Sequence, residues 1–311
     1  MTPHWSLDDL GDLLGHTAVV TGANSGLGYE TALALAEHGA SVVLACRSPE
    51  RASLAVERIR AKVPHSVVTV GLVDLADLAS VQRFADSLAG TSLDLLVNNA
   101  GVMALPHLLT ANGFEMQFGT NHLGHFALTG RLLAALLRSP SPRVVTVSSL
   151  AHVFGRMDFE DLQHERHYRR WVAYGQAKLA NLLFAFELDR RAEVAGAGLV
   201  SVAAHPGYAA TNLQTAGPRM EGNAWLTRVA EVGNRLVAQP ASLGAGATLC
   251  AATAPGLRGG EFIGPRLGMW GHPAQAWCTP AARNEANARR LWTVSEQLTG
   301  VTYDALGPVR D

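Results

Sequence analysis

Short runs of β-branched and apolar residues recur along the chain with helix-spaced segments between them, and this alternation restricts the fold more than any other feature. The runs are TAVVT (17–21), SVVLA (41–45), VVTV (67–70), LDLLV (93–97), RVVTV (143–147) and LVSVAA (199–204). Each is apolar at consecutive positions, so neither face is reserved for water. Between them lie stretches such as LGYETALALAEHG and SVQRFADSLAG, whose apolar residues return at helical spacing. Strands of this kind, joined through helices, predict an α/β chain: a single doubly wound, Rossmann-type parallel sheet with helices on both faces. With 311 residues, 48% of them hydrophobic, the chain can bury the core such a sheet needs. We read residues 1–15 as an N-terminal extension and 16–311 as one domain. Residues 207–240, rich in Gly, Pro and Asn, break the alternation and are expected to rise above the sheet.

The first run passes directly into TGANSGLG (21–28), and a helix-spaced segment follows. Gly22, Gly26 and Gly28 keep a G-x3-G-x-G spacing. Such a turn leaves a strand sharply, brings backbone close to a pyrophosphate and packs the next helix tightly on the sheet. The helix start then presents free N–H groups and a positive dipole end to phosphates. An ordinary glycine-bearing turn is the plainer alternative, but the position in the first βα unit favours the nucleotide reading. The second run ends Ala45-Cys46-Arg47-Ser48. An NAD site usually carries an acid here, about 20 residues past the glycines, to bond the ribose 2′-OH. The acid is absent and Arg47 follows, and a guanidinium suits a 2′-phosphate. NADP(H) is therefore the expected cofactor, with NAD(H) as the other possibility.

Residues 174–178 read YGQAK within a helical stretch, which sets Tyr174 and Lys178 on one face. A phenol is a poor acid or base at neutral pH, and a neighbouring cation favours the phenolate. Alone, this spacing equally describes a packed tyrosine beside a solvated lysine.

Composition narrows the remaining classes. A net charge of −1 and a pI near 6.9 argue against a nucleic-acid partner. Cys46, Cys250 and Cys278 are scattered and form no CxxC pair, which fits a reducing compartment. His122 and His125, and His164 and His167, lack metal-site spacing, so no metal is expected. No run of about 18 apolar residues suggests a membrane span. MTPHWSLDDLGDLLG lacks the basic and apolar regions of a secretory signal. A cytoplasmic protein is expected, and the high Ala, Arg and Leu content points to a GC-rich bacterial genome. Trp5, Leu7, Leu10, Leu13 and Leu14 have the spacing of a short amphipathic helix docked on its own domain.

Together, TGANSGLG, Asp74-Leu75, NNAG (98–101), NHLGHF (121–126), VSS (147–149), YGQAK and HPGYAAT (205–211) resemble the short-chain dehydrogenase/reductase family. The resemblance runs from about residue 15 to beyond 211. SSLAH and AYGQAKLANLLF are similar to its retinol-dehydrogenase-like and protochlorophyllide-reductase-like branch. The resemblance implies a doubly wound fold and a set of roles. Tyr174 would be the general acid or base at the substrate oxygen. Lys178 would lower its pKa and bond the nicotinamide ribose, Ser149 would hold the substrate oxygen, and Asn121 would support a water-linked proton relay. Gly22, Asn24, Ser25, Gly26, Leu27, Gly28 and Arg47 would hold the phosphate and ribose end of the cofactor. Asp74 and Leu75 would flank the adenine, and Asn99, Ala100 and Gly101 would line the cofactor. Pro206, Gly207 and Thr211 would clamp the nicotinamide end. Of Ser148 and Ser149, adjacent strand residues point to opposite faces, and the family pattern selects Ser149.

Three regions carry open readings. The stretch at about 152–171 is long for the family and either shapes the substrate entrance or covers an edge. Within it, Phe154, Met157, Phe159 and Trp171 are equally packing residues or ligand contacts. KLANLLFAFEL, after Tyr174, is apolar on more than one face, which suggests the sheet on one side and a partner subunit on the other. A homodimer is possible. At about 208–238, Met220, Trp225 and Leu226 fit either a lid over an apolar substrate or a docked helix. The leading expectation is an NADP(H)-dependent oxidoreductase acting on a hydrophobic ketone, aldehyde or alcohol. A carbon–carbon double-bond reductase and a non-catalytic NADP(H) sensor are the alternatives.

Overall fold

The computed structural model describes residues 5–207 and 241–307. The chain alternates β1 (Thr17–Thr21), α1 (Gly26–Glu37), β2 (Ser41–Cys46), α2 (Pro49–Lys62), β3 (Val68–Leu72), α3 (Leu78–Ser87) and β4 (Leu95–Asn98). One long helical run follows, built of α4 (Met116–Phe118), a π-helical turn (Gly119–Leu123) and α5 (Gly124–Leu136). Then come β5 (Arg143–Val147), α6 (Arg170–Val194), β6 (Val200–Ala204), α7 (Ala241–Thr253), β7 (Phe262–Pro265), β8 (Pro273–Gln275) and α8 (Glu285–Thr299).

The strands form one eight-stranded sheet in the order β3-β2-β1-β4-β5-β6-β7-β8. Every pairing is parallel except β7 with β8. All six apolar runs are strands of this sheet. Alternation along each strand feeds two cores. Ala18 and Val20 join α1, α2 and α7 on one face, whereas Val19 joins α3, α5 and α6 on the other. The chain steps outward from β1 through β2 to β3 and then returns to β4. That reversal opens a crevice at the carboxyl ends of β1 and β4, where such sheets take ligands.

Two expectations change. Among its described residues the N-terminal stretch makes a single 3-10 turn, Leu7–Asp9, ended by a hydrogen bond from Leu10 N to Leu7 O. Trp5 and Leu10 still enter the core, while Leu14 is exposed, because Gly11 and Gly15 interrupt any longer helix. The second apolar face of α6 needs no partner subunit. It is covered by α8: Phe184 stacks on Trp292 at 5.9 Å between centroids, Trp292 meets Tyr303 at 4.5 Å, and Leu291 joins Leu179, Leu182 and Leu183. Tyr303 then donates from its hydroxyl to Phe126 O at 2.7 Å. The observation behind the dimer expectation is thus met within the chain. The expected lid at 208–238, with Met220, Trp225 and Leu226, and the clamp residue Thr211 lie outside the described residues.

Candidate active site

The glycine turn leaves β1 through Gly22 and Gly26, both in the left-handed region at φ +68 and +57. Gly28 is held by contact. A Cβ there would lie 2.5 Å from Asn99 Nδ2 and 2.6 Å from Gly22 O. Asn99 Nδ2 donates to Thr21 O at 2.7 Å, so the ends of β1 and β4 are bonded together under the turn. The start of α1 remains open. Ser25 makes no side-chain cap and the first turn carries no acid. By contrast α2, α3 and α8 are capped by Ser48, Asp77 and Asn284. An uncapped, dipole-positive helix start under a turn that carries Gly22, Gly26 and Gly28 fits a phosphate group. Asn24, Ser25 and Gly26 are half-buried on this turn, and Leu27 is buried beneath it.

The neighbouring strand ends line the same edge. Arg47 follows β2, is exposed, and makes no ion pair with any described residue. Asp74 and Leu75 follow β3. Asp74 N donates to Ser80 Oγ at 2.9 Å, and Ala76 N donates to Asp74 Oδ1 at 3.0 Å. Leu75 O would be 2.4 Å from a Cβ on Gly124, so α5 runs close against this loop. Pro206 and Gly207 follow β6. Gly207 has φ +66, and a Cβ there would meet Met269 O at 2.4 Å.

Four side chains gather at the ends of β4 and β5. The Ser149 hydroxyl neighbours the Tyr174 phenol and works to lower its pKa. Lys178 Nζ lies 5.8 Å from the Tyr174 ring centroid and donates to Val147 O at 3.1 Å. Asn181 Nδ2 donates to the same carbonyl at 3.1 Å. Asn121 sits in the π turn, a feature often found at functional sites. Its Oδ1 accepts from Val102 N at 2.7 Å and its Nδ2 donates to Val102 O at 2.9 Å. Gly101 brings the two poles together: a Cβ there would be 3.0 Å from Asn121 Oδ1 and 3.6 Å from Lys178 Nζ.

Burial sets the electrostatics. It pushes the Tyr174 phenol up to about 12, with the Ser149 hydrogen bond pulling partly back. It pulls the Lys178 ammonium down to about 8. The pull on the phenol that the sequence assigns to Lys178 is smaller than the cost of desolvating a phenolate.

Several contributors do not stand out in the sequence. Glu115 caps the run bearing Asn121, accepting from Gln117 N at 3.0 Å and Phe118 N at 2.7 Å. The 152–171 stretch is fastened to this run. Gln163 Oε1 accepts from Glu115 N at 2.7 Å, and the Tyr168 hydroxyl donates to Leu105 O at 2.8 Å. Within the stretch, Met157 and Phe159 pack on the core. Phe154 and Trp171 are exposed, and Trp171 meets the Tyr174 ring edge-on at 6.2 Å. A cleft of about 580 Å³ opens along Pro106, His107, Tyr168, Trp171 and Val172. His122 is enclosed by Phe118, Phe126 and Phe184 and bonded to Ser295. His164 is buried and His167 exposed.

A glycine-bearing turn at a sheet switch point, with Tyr174, Ser149, Lys178 and Asn121 gathered at the ends of β4 and β5, has the form of a dinucleotide-binding α/β protein. The short chain dehydrogenase family model matches residues 16–222. The chain belongs to that family, in its retinol-dehydrogenase-like branch. It is 43% identical to mouse retinol dehydrogenase 11 over 297 residues, covering 94% of this chain and 89% of that protein. A crystal structure of an uncharacterized protein from Mycobacterium paratuberculosis is 43% identical with a TM-score of 0.81, covering 96% of this chain and 99% of that one. RhlG of Pseudomonas aeruginosa, in an active-site complex with NADP, is 25% identical with a TM-score of 0.60, covering 81% and 95%. Among the described residues, no helix is long and apolar enough to cross a membrane.

Proposed function

We propose that this protein is an NADP(H)-dependent oxidoreductase that interconverts a hydrophobic aldehyde or ketone and its alcohol. The observation that carries this reading is the convergence of Tyr174, Ser149, Lys178 and Asn121 at the crevice that begins with the glycine cradle. When bound, the nicotinamide supplies or accepts the hydride. The protein's own residues handle orientation and the proton. Ser149 holds the substrate oxygen and Tyr174 gives it a proton in reduction or removes one in oxidation. With its phenol pushed up to about 12, Tyr174 rests as the acid, the form that reduction needs. Lys178, turned toward Gly101, holds the ribose and adds positive charge beside the phenol. Asn121 fixes the loop at Val102 and links Lys178 to water.

The exposed Arg47, in no ion pair with a described residue, and the missing acid at the end of β2 support a 2′-phosphate. The cleft beside Trp171 is the substrate entrance in this reading, where Tyr168, Trp171 and Val172 suit an apolar chain and Arg169 and Arg170 line the same cleft. The relative named retinol dehydrogenase 11 points to the same substrate character. The test is fluorescence titration with NADPH and NADH, followed by turnover against apolar aldehydes and ketones. Tyr174→Phe is expected to abolish turnover and keep cofactor affinity; full activity in that variant refutes the mechanism. Arg47→Asp is expected to weaken NADPH far more than NADH, and equal weakening refutes the NADP preference.

A further inference from the structure

The loop that closes the cofactor crevice and the π turn that carries Asn121 are joined by one buried imidazole. His125 stands early in α5, 1% exposed. Its Nδ1 lies 2.9 Å from Asn121 O and its Nε2 lies 3.0 Å from Thr21 Oγ1. The Thr21 hydroxyl, at the end of β1, also lies 2.9 Å from both Asn99 N and Ala100 N. Those two backbone groups can only donate, so they occupy both lone pairs of the hydroxyl oxygen. Its single hydrogen must point elsewhere. Val97 O lies at 3.3 Å and the imidazole nitrogen at the shorter 3.0 Å. With no lone pair left on Thr21, Nε2 cannot donate to it, and it is the nearer acceptor for the hydroxyl hydrogen. The ring proton therefore sits on Nδ1 and is donated to Asn121 O. The ring proton has one destination, Asn121 O, and the Thr21 hydrogen has its shorter contact at Nε2.

We infer that His125 is a positioning residue, locked as the Nδ1–H tautomer, that sets Asn121 in register with the Asn99–Ala100 wall of the cofactor crevice. The inference rests on the cofactor and Asn121 roles proposed above. It assigns the two ring nitrogens different tasks. Nε2 orients the Thr21 hydroxyl that holds the cofactor wall. Nδ1 holds the backbone carbonyl of the residue that serves the proton relay.

The two tasks separate by substitution in the full chain. In His125→Asn the side-chain amide reaches the Nδ1 position, so the donor to Asn121 O survives and Thr21 loses its acceptor. In His125→Gln the amide reaches the Nε2 position, so Thr21 keeps an acceptor and Asn121 O loses its donor. His125→Asn is expected to raise the NADPH Kd about tenfold, more than it lowers kcat, and His125→Gln to lower kcat about tenfold, more than it raises Kd. Thr21→Val removes that bond together with the two from Asn99 N and Ala100 N, so its Kd must rise at least as far as that of His125→Asn, and a smaller rise overturns the inference; if one histidine variant does not fold by circular dichroism, the ratio of Kd change to kcat change in the other decides the matter. Equal changes in Kd and kcat for the two histidine variants, or no change in either, overturn the inference and leave His125 a packing residue. If the wild type binds NADPH but turns over no substrate, the proposed activity fails, while the difference in Kd between the two variants still decides the positioning role.

Discussion

The hydroxyl of Ser148 donates to the main-chain carbonyl of Lys178 at 2.7 Å. The first serine of the pair therefore holds the helix, and the second faces the phenol. Ser149→Ala is expected to lower turnover on the order of a hundredfold with little change in melting temperature. Ser148→Ala is expected to destabilise the fold by about 1 kcal/mol. Steady-state kinetics and urea unfolding of both variants separate the roles; the reverse pattern would show that the serines have been assigned the wrong way round.

Lys178 is held at a cost. Burial lowers its pKa from 10.5 to about 8, so the unfolded chain binds more protons than the folded one between those values. Stability should rise with pH across that window as the buried ammonium becomes neutral. Lys178→Met should eliminate activity yet stabilise the protein by about 2 kcal/mol at pH 7. The gap between wild type and variant should narrow toward pH 10, as followed by thermal melts at each pH.

Acid acts through the buried imidazoles. Burial lowers His122 to about 3 and His125 and His205 to about 4. Each is neutral in the fold and titrates near 6.5 when unfolded, so their contribution is intact above 6.5 and is lost as the pH falls toward 4. Each adds up to about 1.4 kcal/mol per pH unit to the slope within that window. Melting curves from pH 7 to 4 should show this fall, and His122→Phe should flatten it.

Trp292 closes the flank of α6. It is 2% exposed, stacked on Phe184 and covered by the Arg191 guanidinium at 4.2 Å. Trp292→Ala is expected to cost about 3–5 kcal/mol in chemical denaturation. It should also expose enough apolar surface for the protein to self-associate on size exclusion.

What the sequence discloses follows from how far apart the interacting residues lie. The first six strands were legible as apolar runs: burial on both faces leaves such a run in the inner strands, while β3, at the sheet edge, keeps one although it is largely exposed. β7 and β8 were not: FIGP and PAQ are four and three residues long and carry Gly or Pro. Tyr174 and Lys178 were legible because they stand one helical turn apart. The same spacing joins Asn121 to His125, but the partner that gives His125 its meaning is Thr21, 104 residues away. The cover over α6 was misread for the same reason. An apolar helix face discloses that something packs on it, and only the fold shows that α8 does.

That arrangement has a consequence for how the protein is made. The helix carrying Tyr174 and Lys178 leaves the ribosome well before Glu285–Thr299 does. Until α8 is synthesised, Phe184, Leu182 and Leu183 have no cover on that flank. A nascent chain halted before Glu285 would hold every residue of the proposed proton path and still present a greasy surface to chaperones. Completion of the protein thus waits on a segment that supplies none of the proposed catalytic residues.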